Sequence, residues 1–224
     1  MVAADVRLPR TENRVRITEI FRSLQGEALT AGLPTVFVRL TGCPLRCQYC
    51  DTAYAFHGGQ GMDLDEVISQ VSAHNTQHIC VTGGEPLAQR ACLPLLRALC
   101  DQGYSVSLET SGAIDISDVD VRVSRVVDIK TPGSGECDRN LWSNVDHLSP
   151  HDQVKFVVCD REDFDWAVEK TEALALAERC VVWVSPSFEQ VDPKTLADWL
   201  LASGSPMRLQ MQLHKALWGD EPGR

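Results

Sequence analysis

The chain has 224 residues, 44% of them hydrophobic, and its 31 acidic against 21 basic side chains give a formal charge of −10. That is enough apolar sequence for one buried core, and the acidic balance disfavours a nucleic acid as substrate. No apolar run reaches the about 18 residues a membrane helix needs and no apolar leader opens the chain, so no membrane partner, a cytoplasmic location and reduced thiols are expected.

Residues 1–14 are polar and read as a loose N-terminal arm. The first strand is expected at Thr35–Leu40, β-branched and apolar. Leu64, Val67, Ile68 and Val71 then recur at helical spacing, with Asp63 and Glu66 placed as a capping pair. Strand patterns follow at Ile79–Thr82, Ser105–Leu108, Ser124–Ile129, Val154–Val158, Val181–Val184 and Leu209–Leu213. Helical patterns separate some of them: Leu87 to Cys100, Phe164 to Arg179, and a segment opened by Asp192-Pro193 and running through Trp199. The stretch from Ser111 to Val123 is too irregular for a helix.

Alternation of this kind implies a parallel sheet with right-handed crossovers. A closed eight-unit barrel needs about 250 residues, so the expected fold is α/β: an incomplete TIM-type barrel of about six parallel strands with outer helices. The whole chain, 1–224, then forms one domain.

Most of the chemistry sits in one loop. Cys43-Pro-Leu-Arg-Cys47-Gln-Tyr-Cys50 follows the first strand, just past its carboxyl end, where α/β folds place their active sites. Three thiolates leave one corner of a four-iron, four-sulfur cluster without a protein ligand, free to hold a reactive molecule. Tyr49 can shield one side of such a cluster. Two plainer readings stay open: a zinc site completed by His57, and unliganded buried thiols. The other cysteines (Cys80, Cys92, Cys100, Cys137, Cys159 and Cys180) are scattered singly and read as reduced core thiols.

Further strand ends carry polar groups toward the same mouth. Thr82-Gly-Gly-Glu-Pro86 is one, and its paired glycines permit close backbone approach. Ser107-Leu-Glu-Thr-Ser-Gly112, Asp128-Ile-Lys-Thr-Pro132 and Val184-Ser-Pro-Ser-Phe188 are the others. A charge at an apolar strand end is costly unless paired or bonded. Asp128 and Lys130 either neutralise each other or line a pocket. Arg39, inside the first strand, is either a structural ion-pair partner or a carboxylate fork.

The cysteine spacing with its aromatic residue before the third thiol resembles the radical S-adenosylmethionine superfamily, whose members fold as partial barrels. Ser23-Leu-Gln-Gly-Glu27, Phe37-Val-Arg-Leu40, Cys50-Asp-Thr52, Thr82–Pro86, Leu108–Gly112, Asp128–Pro132 and the closing Leu209-Gln-Met-Gln-Leu-His-Lys215 resemble, in order, one family within it, the 7-carboxy-7-deazaguanine synthases. The likeness runs over nearly the whole chain.

The resemblance implies conversion of 6-carboxy-5,6,7,8-tetrahydropterin to 7-carboxy-7-deazaguanine with loss of ammonia, a step toward queuosine-type nucleosides. It implies an iron-sulfur cluster on Cys43, Cys47 and Cys50, and S-adenosylmethionine held by Gly84, Glu85, Asp128, Ile129, Lys130 and Ser185. It places the substrate on Leu24, Gln25, Gly26, Glu27, Arg39 and Thr82, and Mg2+ on Thr52. It further implies an electron donor such as flavodoxin or ferredoxin, and a homodimer. No protein side chain is expected to carry a radical. Ala28 stands where the family usually has glycine, which would be strained if the position needs positive φ. Two other classes remain open on the residues alone: an activase that makes a glycyl radical on a partner protein, and a non-catalytic iron-sulfur or zinc module.

Overall fold

The computed structural model describes residues 13–219. One nine-stranded sheet runs through it. The strands are β1 (Arg14–Leu24), β2 (Pro34–Leu40), β3 (Gln60–Asp63), β4 (His78–Gly83), β5 (Ser105–Thr110), β6 (Ser124–Asp128), β7 (Gln153–Val158), β8 (Val181–Pro186) and β9 (Arg208–Leu209). Their order across the sheet is β3-β1-β2-β4-β5-β6-β7-β8-β9. From β2 to β9 every pairing is parallel, whereas β1 and β3 add an antiparallel edge. The sheet is open, as a partial barrel requires. Its six full parallel strands match the expectation.

The helices are α1 (Leu64–Ser72), α2 (Cys92–Asp101), α3 (Arg161–Ala173), α4 (Leu176–Arg179), α5 (Pro193–Ser203) and α6 (Leu213–Trp218). Local chemistry sets their starts. Glu66 accepts from Asp63 N at 2.9 Å to close the capping box of α1. Asp160 and Asp192 accept from the backbone N–H three residues on, and Pro193 opens α5. Leu95, Leu96 and Leu99 of α2, Phe164 and Ala167 of α3, and Leu196 of α5 pack on Val36, Val38, Val81, Leu108, Val154, Phe156 and Val184 of the sheet. Core side chains of this size each contribute about 1.5–3 kcal/mol when fully buried. Between β5 and β6, and between β6 and β7, no α-helix forms, and the chain crosses by turns and short 3-10 segments.

Four expectations need correction. The polar arm was drawn to residue 14, yet β1 begins at Arg14; residues 1–12 lie outside the described residues. The helix expected from Leu87 starts only at Cys92, because Pro86–Ala88 forms a 3-10 turn capped by Glu85. The Phe164–Arg179 helix is broken at Ala175, whose φ of 48° is left-handed. The strand expected over Leu209–Leu213 pairs only at Arg208–Leu209, and Leu213 opens α6.

Candidate active site

A cleft of about 230 Å³ opens at the carboxyl ends of the parallel strands. One wall is the cysteine loop after β2, with Cys43, Cys47, Tyr49 and Cys50. The opposite wall is Leu24 to Glu27, between β1 and β2. The strand ends supply Arg39, Thr82 and Glu109 beside that wall, and Gly84, Asp128, Lys130, Lys155 and Ser185 between it and the cysteine loop. Of the residues that the sequence assigned to a site, all but two line this one cleft.

The cysteine loop is packed against the glycine pair. Glu85 N donates to Gly42 O at 2.8 Å and Gly84 N to Leu40 O at 3.2 Å. A Cβ on Gly84 would collide with Gly42 O and come within 2.7 Å of Cys43 Cβ. The glycine therefore serves the seating of the cluster loop as well as the cleft surface. Burial pushes the Cys47 thiol up to about 11 against the opposing Lys130 ammonium, and raises Cys43 and Cys50 in the same direction. The metal-free thiols are thus protonated near neutrality, and ligation displaces those protons.

Among the described residues no three His, Cys, Asp or Glu side chains converge where a single ion would sit. A cubane asks for something else: each thiolate takes a different iron. The three half-buried thiols of one loop fit that demand, and His57 does not line the cleft. The zinc reading loses its fourth ligand.

Beside the loop, buried polar atoms lack partners. Asp128 Oδ1, Ser187 Oγ and Tyr49 Oη are buried with no hydrogen bond in the protein, and all three residues line the cleft. Unsatisfied buried polar atoms are costly and call for a ligand's donors and acceptors. Asp128 Oδ2 pairs with Lys130 Nζ at 3.0 Å, and Lys130 lies 5.7 Å from the Tyr49 ring centroid. Both open readings of Asp128 and Lys130 therefore hold at once. Ser185 Oγ donates to Gln210 O at 3.2 Å.

Glu85 and Ile129 do not line the cleft. The Glu85 carboxylate is 0% exposed and accepts from Leu87 N, Thr110 Oγ1, Ser111 N and Ser111 Oγ. It ties its own 3-10 turn to the end of β5 from behind the cleft wall. Ile129 belongs to the hydrophobic core, its N donating to Lys155 O at 2.9 Å.

On the opposite wall, Arg39 Nε donates to Glu19 Oε1 at 2.7 Å, and Tyr54 Oη donates to the same oxygen at 2.8 Å. Phe21 and Tyr54 rings sit 5.9 and 5.8 Å from the guanidinium. The ion pair occupies the Nε edge of Arg39 and leaves its terminal nitrogens for a carboxylate. Thr82 Oγ1 donates to Glu109 Oε2 at 3.0 Å, and Gln25 Nε2 reaches Glu109 Oε1 at 3.5 Å. Glu27 accepts from Lys155 Nζ at 2.6 Å and Gln212 Nε2 at 2.8 Å.

Ala28 does adopt positive φ, 65°, where an L-residue costs about 1–2 kcal/mol. Its N donates to Gln210 Oε1 at 2.6 Å, which offsets part of that strain.

Thr52 Oγ1 donates to Asp51 Oδ1 at 2.8 Å. Burial opposes ionisation of Asp51, but the Thr52 hydroxyl and the cations Lys215, Lys155 and Arg39 overcome it and hold its carboxyl below the usual range. A hydroxyl next to an ionised carboxylate is a donor set of the hard-oxygen kind.

Glu109, Lys155, Ser187 and His214 also line the cleft, without having been assigned from sequence. Lys155 had a readable signal, a lone charge inside the apolar Val154–Val158 strand. His214 had none. It reaches the cleft because Leu213 N donates to Gly26 O at 3.0 Å, which folds the C-terminal segment over that wall.

Residues 37–126 match the model of the Radical SAM superfamily. The chain is 41% identical to a 7-carboxy-7-deazaguanine synthase of Koribacter versatilis, over 92% of this chain and 98% of that protein. It is 40% identical to the synthase of the same name from Chlorobaculum tepidum, over 94% and 97%. The crystal structure of QueE from Escherichia coli superposes with a TM-score of 0.74 at 23% identity, covering 90% of this chain and 95% of that one.

Proposed function

Because the chain belongs to the 7-carboxy-7-deazaguanine synthase family of radical S-adenosylmethionine enzymes, we propose that its cleft contracts the ring of 6-carboxy-5,6,7,8-tetrahydropterin to 7-carboxy-7-deazaguanine, with loss of ammonia. The observation that carries this reading is that a single cleft holds both the three-cysteine loop and the Gln25–Glu27, Arg39 wall.

Cys43, Cys47 and Cys50 would hold the iron-sulfur cluster. Bound there, the cluster and S-adenosylmethionine supply hydrogen-atom abstraction from a carbon that acid-base chemistry does not reach. The chain's own work is placement and exclusion of water. Gly84, Lys130, Ser185 and the unpartnered Asp128 Oδ1 and Ser187 Oγ line the S-adenosylmethionine side. The terminal nitrogens of Arg39 take the substrate carboxylate bidentately. Gln25, Glu27, Thr82, Glu109 and the backbone of Leu24 and Gly26 offer the mixed donors and acceptors a pterin edge needs. Thr52 and Asp51 suit a Mg2+ that keeps most of its water and binds through few protein groups.

The same reading treats the chain as one catalytic domain that works as a cytoplasmic homodimer, supplied with electrons by a flavodoxin or ferredoxin. No helix among the described residues is long and apolar enough to cross a membrane. The test is anaerobic incubation of the reconstituted protein with the carboxytetrahydropterin, S-adenosylmethionine, Mg2+ and a reductant, followed by mass analysis. The deazaguanine carboxylate and free ammonia are expected. Its absence with a full cluster in place overturns the reading.

A further inference from the structure

Lys155 stands in β7 between Val154 and Phe156, which are fully buried against the helices, so strand alternation turns Lys155 into the cleft. Its Nζ lies 2.6 Å from Glu27 Oε2 and 3.7 Å from Asp128 Oδ2. Those carboxylates come from different segments of the cleft lining. Glu27 is on the wall assigned to the pterin, where Gln212 also donates to it at 2.8 Å. Asp128 ends β6 on the nucleoside side, where Lys130 pairs with it at 3.0 Å and lies over Tyr49 of the cluster loop.

Burial opposes the charge on such an ammonium, but Glu27 and Asp128 reverse the effect and hold Lys155 charged. A buried cation is retained only where its partners compensate the lost hydration. Here the compensation comes from two ligand-facing groups at once. Because Lys155 and Lys130 both engage Oδ2, the other oxygen of Asp128 is left unpartnered in the cleft.

Resting on the function proposed above, we propose that Lys155 is a positioning residue that ties the two ligand subsites together, aiming Glu27 at the pterin and Asp128 at the nucleoside. Without Lys155, Glu27 keeps only neutral amide donors, whereas Asp128 keeps Lys130. The pterin side therefore loses more.

The test measures affinities by anaerobic equilibrium dialysis of reconstituted holoenzyme, separately for S-adenosylmethionine and the carboxytetrahydropterin. Lys155→Met is expected to weaken the pterin by about tenfold or more and S-adenosylmethionine by about threefold, in line with loss of one partner of a buried charge pair. Lys155→Arg, which keeps the cation, should recover both in part. Glu27→Gln releases Lys155 from its first partner and should shift S-adenosylmethionine affinity by about threefold; in the Lys155→Met background that shift should vanish.

If Lys155→Met or Glu27→Gln leaves S-adenosylmethionine affinity unchanged, the bridge is refuted. The Glu27→Gln arm stands alone should Lys155→Met fail to fold. Wild-type product formation reports separately on the proposed reaction, so a protein that turns over normally yet shows no coupling refutes the bridge only.

Discussion

Glu85 has the most sharply testable contact pattern of the Thr82–Pro86 segment. The family resemblance implies that it holds S-adenosylmethionine; its carboxylate lies behind the cleft wall and accepts four donors: Leu87 N at 2.9 Å, Ser111 N at 2.6 Å, Ser111 Oγ at 2.5 Å and Thr110 Oγ1 at 2.9 Å. In Glu85→Ala the two hydroxyls can turn to other acceptors, but the two backbone N–H groups cannot. At about 1–3 kcal/mol for each stranded donor, the loss is about 2–6 kcal/mol. Glu85→Gln is gentler. Its amide oxygen can take the Ser111 side, which leaves the amide NH2 facing Leu87 N–H, at a cost of about 2 kcal/mol. For a chain of this size that lowers Tm by about 4–8 °C. Circular dichroism of the metal-free protein measures the first effect. Dialysis against S-adenosylmethionine at low temperature, where the reconstituted Gln variant stays folded, measures the second, and affinity should stay within about twofold. A Glu85→Gln protein with wild-type Tm but affinity down tenfold or more would make Glu85 a direct ligand and refute the stapling role.

Arg39→Ala should weaken the carboxytetrahydropterin by about 2–4 kcal/mol through loss of a charge-assisted fork, with S-adenosylmethionine affinity nearly unchanged; equal losses in dialysis would count against it. Thr52→Ala should abolish stimulation of turnover by Mg2+, and an unaltered Mg2+ titration would retire that ligand. Asp152 is fully buried; burial opposes its ionisation, but hydrogen bonds from Arg125 and Ser149 depress its pKa. Asp152→Asn should cost about 3–5 kcal/mol at neutral pH. A depressed folded pKa gives stability that is present above the unfolded value of about 3.9 and lost as pH falls through the folded one. The wild-type advantage in urea should therefore hold from pH 7 to about 4 and shrink below it.

Much of the fold was legible because buried parallel strands read as apolar runs, as β2, β4 and β8 do, or as short β-branched stretches with polar interruptions, as β5 to β7 do. The antiparallel edge was not. Val15 and Ile17 of β1 alternate with polar residues, but the register shifts between Ile17 and Glu19, so the alternation breaks after two pairs. Leu209 to Leu213 alternates cleanly and still fails as a strand. The Gln210 side chain is drawn inward to Ala28 N at 2.6 Å and Glu27 Oε2 at 3.3 Å, and tertiary hydrogen bonds end the ladder. The break at Ala175 has no local signal, since Leu174-Ala-Leu-Ala177 is all helix-forming.

The site was legible where a polar residue interrupts an apolar strand end, as at Arg39, Thr82, Asp128 and Lys130. It was obscure where a residue enters from distant chain, as His214 does. At Glu85 the motif names the residue without saying that its carboxylate turns away from the cleft lining.

The most direct measurement counts product against S-adenosylmethionine consumed, with purified reconstituted protein, reductant and carboxytetrahydropterin and no second polypeptide substrate. Many molecules of 7-carboxy-7-deazaguanine per enzyme are expected, with little net loss of S-adenosylmethionine, and none from Cys43→Ala, Cys47→Ala or Cys50→Ala. Cleavage of S-adenosylmethionine with no deazaguanine formed, or product formed by all three cysteine variants, would contradict the account.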